Sequence, residues 1–367
     1  FKDESDEILG VIVSGQELYS GEILIEYQLR LPDLINGLGY EKGNFYLRNF
    51  YPKLVRYENK VWQTYHYRQF ADEWGYNTDV LLKLYGMEGY VPFSIGNMVN
   101  DVNSFEISAN NVKELAIVML KNENIHLLMS SVNENFSYRL ISFSDHSLNQ
   151  VDVDTTIQKV AFRMSAYLGQ YPFESFNIFI GEDCSTCFNT DGMVMVNEPK
   201  EGETLEQWLV SILSDAWVSS KFNVNTENYP WLKGGLRTYF QDIYHQDFQT
   251  NVGKYDGEFK SFYFSYLYWV QRLRMAEPLN ARRIILDKDH EFLNRYYKPA
   301  ALLHYLSALV GDENFSATLS HFTASKEPLT PDNLIEKLEQ ISGKELQDVA
   351  ESYISKLSET DYKILQM

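Results

Sequence analysis

Thr204-Leu205-Glu206-Gln207-Trp208-Leu209-Val210-Ser211-Ile212-Leu213-Ser214-Asp215-Ala216-Trp217, followed after a gap by Pro230-Trp231-Leu232-Lys233-Gly234-Gly235-Leu236-Arg237-Thr238-Tyr239-Phe240, is the stretch on which the fold turns. Read by itself it is two amphipathic helices, since the apolar positions recur at helical spacing. Ser211 and Asp215, at i and i+4, share one helix face. Trp208, Trp217 and Trp231 read first as core packing.

Working outward, residues Thr155 to Leu168 have helical periodicity, Phe176-Asn177-Ile178-Phe179-Ile180 is strand-like, and helices dominate beyond Thr204. Later helices are predicted over Ala300 to Val310 and Asp332 to Ser342, the second with a start at Thr330-Pro331-Asp332 and a stop at Gly343. Upstream, from about Glu22 to Ser144, short β-type runs such as Ile23 to Leu29 and Asp79 to Leu84 alternate with Gly, Asn, Asp and Pro clusters. Leu115 to Leu120 and Ile125 to Met129 are expected to pair as a hairpin. The class is therefore α+β. An antiparallel β domain over residues 1–150 precedes a mostly helical domain over 151–367.

The 367 residues exceed one ordinary core and suit two domains. With 44% hydrophobic and 23% charged residues the chain is a folded protein and not a disordered one. Its 32 basic and 51 acidic side chains leave a formal charge of -19, a field that repels phosphate backbones and anionic headgroups. Nucleic acid is excluded as a partner on that ground, and solubility alone accounts for the acidity. No run approaches the length of a bilayer-spanning helix, and Phe1 to Asp6 has no signal-peptide core. Membrane attachment is expected only through a segment outside this chain. Cys184 and Cys187 have C-x-x-C spacing, which suits a disulfide, a redox pair or half a metal site. With no second pair nearby, two ordinary thiols, or a local disulfide in an exported protein, is the preferred reading.

Taken together, the two opening segments resemble the core of the gluzincin zinc aminopeptidases of the membrane alanyl aminopeptidase type. Their pattern is H-E-x-x-H-x-W, then Trp-Leu-Asn-Glu-Gly-x-x-x-Tyr carrying the third zinc ligand. Gly234 lies 23 positions after Ser211, the family's separation between first and third ligand, and Trp217, Trp231, Leu232, Gly235 and Tyr239 fall on their counterparts. Ser211 and Asp215 then stand at the two histidines, Ile212 at the catalytic glutamate and Gly234 at the third ligand. Thr186 to Met193 resembles the family's G-A-M-E-N segment, with Asn189 replacing the glutamate that receives the substrate's amino group. Leu47 to Pro52 with Trp62, Tyr167 to Phe173, Tyr296-Tyr297-Lys298-Pro299-Ala300 and Gly311 to Phe315 resemble further landmarks, so the likeness spans nearly the whole chain. Tyr296 matches the tyrosine that stabilises the tetrahedral intermediate, although Pro299 departs from the usual glycine.

The resemblance implies a β domain followed by a thermolysin-like domain. It also implies that zinc is absent as a cofactor, because Ser211 and Gly234 are not zinc donors and Ile212 cannot carry a proton. A noncatalytic module is expected, its old cleft filled or holding a peptide or protein partner, in an extracytoplasmic or membrane-tethered setting. The alternatives are a metal-dependent aminopeptidase with unusual ligands, in which Asp215 and Tyr296 are the inherited polar groups, and a structural extracytoplasmic part of a membrane assembly. His290-Glu291-Phe292-Leu293-Asn294 imitates only the first letters of a zinc motif. No G-x-S-x-G, phosphate-binding or dinucleotide-binding glycine motif occurs.

Overall fold

The structure, a computed structural model, describes residues 22–34, 37–58, 60–64, 75–101, 104–121, 125–133, 136–142, 148–181, 187–249, 278–280, 293–325 and 327–355. Cys184, Thr186, His290 and the opening segment Phe1 to Asp6 lie outside them.

Strand β1 (Leu38–Glu41) and β2 (Asn44–Leu47) form a hairpin, and a second short one joins β3 (Tyr57–Glu58) to β4 (Val61–Trp62). Then come β5 (Thr78–Tyr85), β6 (Tyr90–Phe93), β7 (Asn97–Asp101), β8 (Ser104–Val112) and β9 (Ile117–Lys121). Two antiparallel sheets result, with orders β1-β2-β9-β6 and β5-β8-β7. A third begins with β10 (His126–Asn133) and β11 (Phe136–Ser142). Helix α1 (Gln150–Leu168) carries the chain over to β12 (Ser175–Gly181), parallel to β11. β13 (Phe188–Thr190) and β14 (Met193–Asn197) complete a five-stranded sheet of order β10-β11-β12-β14-β13. Its strands come from both sides of residue 150.

Period-two alternation explains how the layers stack. Along β9, Ile117 and Met119 face Ile107, Ala109 and the three-stranded sheet, whereas Val118 and Leu120 face Phe179, Phe188 and Met195 of the five-stranded sheet. Along β12, Phe176, Ile178 and Ile180 turn the other way, into a core shared with the helices. The order is thus sheet, sheet, sheet, helices. α1 lies on the last face through Val153, Ile157, Val160, Met164 and Leu168, spaced at helical intervals.

Two sequence expectations are corrected here. Leu115 to Leu120 does not pair with Ile125 to Met129: β9 has β2 on one edge and β6 on the other, so no edge is left, and β10 pairs with β11 in the next sheet. Ile23 to Leu29 is not a strand. It lies on the surface with Ile23 and Leu24 exposed and the Tyr27 hydroxyl donating to the Phe50 carbonyl at 2.8 Å.

The remaining elements are helical apart from β15 (Asn223–Val224) and β16 (Pro328–Leu329), which pair with each other. Helices α2 (Leu205–Lys221) and α3 (Pro230–Gln249) hold the opening segments. A π-helical turn (Leu293–Tyr297) leads into α4 (Lys298–Val310), followed by α5 (Asp312–Ser325), α6 (Pro331–Ser342) and α7 (Gln347–Ile354). The expected limits of α6 are met: Thr330 closes a capping box with Asn333, and Gly343 ends the helix in the left-handed region at φ 68°. No helix among the described residues is long and apolar enough to cross a membrane.

Candidate functional site

Thr204 starts α2 by a reciprocal capping box with Gln207. This fixes the phase that turns Trp208, Leu209, Leu213, Ala216 and Trp217 into the core. The Trp208 indole donates to the Asn197 carbonyl at 2.9 Å and that of Trp217 to the Gly169 carbonyl at 3.2 Å, tying α2 to the end of β14 and to the C-cap of α1. Ser211 and Asp215 are left on the flank, where α3 meets them.

The two helices run in opposite senses, and a row of α3 residues one turn apart reaches across. Lys233 Nζ lies 3.9 Å from Asp215 Oδ1, Arg237 Nη2 donates to Ser211 Oγ at 2.5 Å, and Gln241 Nε2 donates to Ser214 Oγ at 3.0 Å. Tyr244 extends the row by donating to Glu206 Oε1 at 2.7 Å. The second oxygen of Asp215 accepts from Asn189 Nδ2 at 2.5 Å, and the same amide nitrogen reaches Ser219 Oγ at 3.3 Å. Asp215 and Asn189, which the sequence frame singled out, thus bond to each other beside Lys233, and Ser211 bonds to Arg237 one turn away. Ile212 is buried between its neighbours in the helical core.

Gly234 and Gly235 lie against the π-helical turn and the start of α4. A Cβ on Gly234 would stand 2.2 Å from the Arg295 carbonyl oxygen and 3.1 Å from the Tyr296 ring, and one on Gly235 would stand 2.4 Å from Pro299 Cβ. The absence of a side chain at 234 is therefore a packing requirement in this fold. Tyr296 is brought to the same place, its ring stacked with Arg237 at 5.6 Å and Arg295 at 5.9 Å. Asn294, the last residue of the rival zinc-like motif, is buried, and neither end of its amide has a hydrogen-bond partner among the described residues.

Next to this network a small open hollow lies between Asn189, Asp191, Ser219, Phe222 and Lys233. Asp191 is buried, accepting from the backbone N–H of Lys113 at 2.6 Å and of Glu114 at 3.4 Å. Burial pushes its carboxyl above the usual range, a rise that the Lys113 ammonium and these two N–H groups oppose and the Glu114 charge assists. Lys113 also donates to the Ser219 and Phe222 carbonyls at 2.5 and 2.9 Å, at the C-terminal end of α2. Glu114 in turn pairs with Arg48 at 3.0 Å, both buried. On the far side of α3, Asp242 sits 3.1 Å from His304 Nε2, and burial likewise raises its carboxyl.

The fold has counterparts among solved structures. The chain has a fold similar to that of M1 zinc metallopeptidases. An M1 zinc metallopeptidase from Deinococcus radiodurans matches with a TM-score of 0.56 and 15% identity, over 77% of this chain and 64% of that one. A mutant of an M1 zinc metallopeptidase from that organism, bound to a Tyr-Ser-Ala substrate, matches with a TM-score of 0.55 and 15% identity, over 77% and 64%. A mutant two-domain M1 zinc metallopeptidase bound to L-arginine gives 0.55 and 15%, over 76% and 64%. The chain spans less than two thirds of the length of each. No protein-family model and no curated protein matches it.

Lys233, Arg237 and Gln241 are site residues that the sequence reading passed over. Their signal was present, as three long polar side chains at i, i+4 and i+8 on a helix that otherwise buries Trp231, Leu232, Leu236 and Phe240. What the sequence lacked was the facing row on α2 that gives them a purpose.

Proposed function

We propose that this chain is a noncatalytic homologue of the zinc aminopeptidases, a peptide- or protein-binding or scaffold module built on their fold. The observation that carries the proposal is the closure of α3 onto α2 at the positions where the family frame puts the ligands. A catalytic zinc needs three converging donors and one open position. Here Ser211 offers a neutral hydroxyl that already accepts from Arg237, Asp215 is shared between Asn189 and Lys233, and the space beside Gly234 holds the Arg295 carbonyl. A divalent cation at that point would also stand beside the ammonium of Lys233 and the guanidinium of Arg237, a repulsion that the single carboxylate of Asp215 does not offset. The residues present do not fit the ion. Ile212 has no group that takes a proton from water, and Asn189 carries no charge to hold a substrate's ammonium end. Tyr296 keeps a phenol, but its ring lies within 6 Å of two arginine guanidiniums, 5.6 Å from Arg237 and 5.9 Å from Arg295.

The test is zinc content after incubation with zinc and desalting, alongside hydrolysis of a panel of aminoacyl reporters. The expected result is far less than one zinc per chain and no turnover that a chelator removes. One zinc per chain together with chelator-sensitive turnover overturns the proposal.

A further inference from the structure

The five-stranded sheet ends at β13 on one side and at β10 on the other. β13 has only three residues, and α2 packs on it. β10 reads His126-Leu127-Leu128-Met129-Ser130-Ser131-Val132-Asn133, and among the described residues its one strand partner is β11. The register between them is unbroken from His126 to Ser131 and shifts before Asn133, so the regular stretch is about 20 Å long.

An outer strand presents a row of main-chain N–H and C=O groups, and proteins ordinarily blunt such a row with a charge, a proline or brevity. The outer strands of the other two large sheets follow that rule. β1 ends on Glu41, β6 contains Pro92, β5 contains Asp79 and Lys83, and β7 ends on Asp101. β10 has no Asp, Glu, Lys, Arg or Pro, in a chain of which 23% of the residues are charged. Its side chains alternate: Leu128 and Val132 pack against the core shared with the helices, whereas Leu127 and Met129 lie on the other face and are 41% and 61% exposed. Helix α1, which packs over β10, adds the exposed side chains of Val151 and Phe162, about three turns apart and so on one stripe of the helix.

The occupant that fits this edge is a second copy of the same strand. Two chains of formal charge -19 repel each other, so they meet at least cost where neither carries a charge. Antiparallel pairing of β10 with itself brings no like charges face to face, whereas a basic strand would find no carboxylate along it. A two-fold axis perpendicular to the sheet keeps every side chain on its own face, which admits only registers that match odd with odd and even with even residues. Centred on the regular stretch, such a register sets Met129 against its own copy and Leu127 against Ser131. It also keeps both α1 helices on one face of a continuous sheet, side by side over the seam.

We infer that β10 is a self-association edge, through which two copies of this chain pair antiparallel about Met129. The inference is independent of whether the chain binds zinc.

Sedimentation velocity of the full chain over about 1 to 200 μM tests it. The mass should rise from one chain to two, and the midpoint should move to lower concentration as sodium chloride is raised, because screening weakens the repulsion between copies. Met129→Lys opposes two ammonium groups at the axis and should raise the midpoint by about tenfold or more, with an unchanged melting temperature at concentrations where the parent is monomeric. In a Cys184→Ser, Cys187→Ser background, Met129→Cys should cross-link two copies on mild oxidation, because opposed Cβ atoms of an antiparallel pair lie about 5 Å apart. Leu81→Cys, on the exposed side of β5, should cross-link far more slowly. A chain that stays monomeric throughout, or a dimer whose midpoint Met129→Lys leaves unchanged, overturns the inference. A monomer in which the β10 amides are protected from hydrogen exchange overturns it in favour of another segment of this chain on that edge.

Discussion

A glycine in the middle of a helix ordinarily costs about 1 kcal/mol relative to alanine. Gly234 is an exception, because a methyl group there would meet the Arg295 carbonyl oxygen at 2.2 Å, and a backbone atom on a packed turn does not rotate away. Gly234→Ala is therefore expected to destabilise the protein by about 1–3 kcal/mol, read from denaturant unfolding, despite the gain in helix propensity. Gly234→Glu, the change that would restore the family's third ligand, should be worse still and should not confer zinc binding. A more stable Gly234→Ala would mean that the turn yields and the position is open to a ligand. Asp191 supports a second prediction at this scale. Its carboxyl is raised by burial, so as pH rises past the unfolded aspartate's value of about 3.9 the folded state keeps the proton longer than the unfolded chain does. The stability tied to that proton is fully present below the unfolded value and is lost as pH rises through the folded one. Asp191→Asn keeps an acceptor for the Lys113 N–H and never ionises. Its melting temperature should therefore gain on the parent's as pH rises above the unfolded value of about 3.9. A constant difference would show that Lys113 outweighs burial and keeps the carboxylate ionised throughout.

At the level of elements, α2 is the piece that everything else holds. Its start is closed by Thr204 and Gln207, its polar flank by the α3 row, and its end by Lys113 from the loop between β8 and β9. Lys113→Met removes a cation from a helix C-terminus and strips the Ser219 and Phe222 carbonyls of a charged donor. A loss of about 1–3 kcal/mol in unfolding free energy is expected. A loss below a few tenths would mean that water replaces the ammonium without cost. What the sequence made legible follows from the range of each interaction. The limits of α6 were readable because Thr330, Asn333 and Gly343 act within one turn of the helix end. The positions Ser211, Asp215 and Asn189 were singled out by the family resemblance; Asn189 bonds to Asp215, and Ser211 bonds to Arg237. The pairing of β9 was not readable: a run such as Ile117 to Leu120 is apolar on both faces because it lies between two sheets, and such a run carries no mark of its neighbours on either edge. Gly234 was legible as a missing ligand but not as a packing point, since that depends on the Arg295 backbone, far along the chain.

For the molecule as a whole, the formal charge of -19 sets acidic surface against acidic surface, a repulsion that favours the expanded chain. Individual ion pairs act the other way. Buried ones such as Arg48 with Glu114 are little affected by salt, because water and ions do not enter between them. Exposed ones such as Lys83 with Glu106 are weak to begin with. Screening should therefore remove more repulsion than attraction, and the melting temperature should rise as sodium chloride goes from about 10 to 200 mM, over which the screening length falls from about 30 Å to below 10 Å. Replacing the exposed acids Glu174, Glu201 and Glu345 by glutamine should flatten that rise, because part of the repulsion is then already gone. If the melting temperature instead falls with salt, surface attraction outweighs net charge.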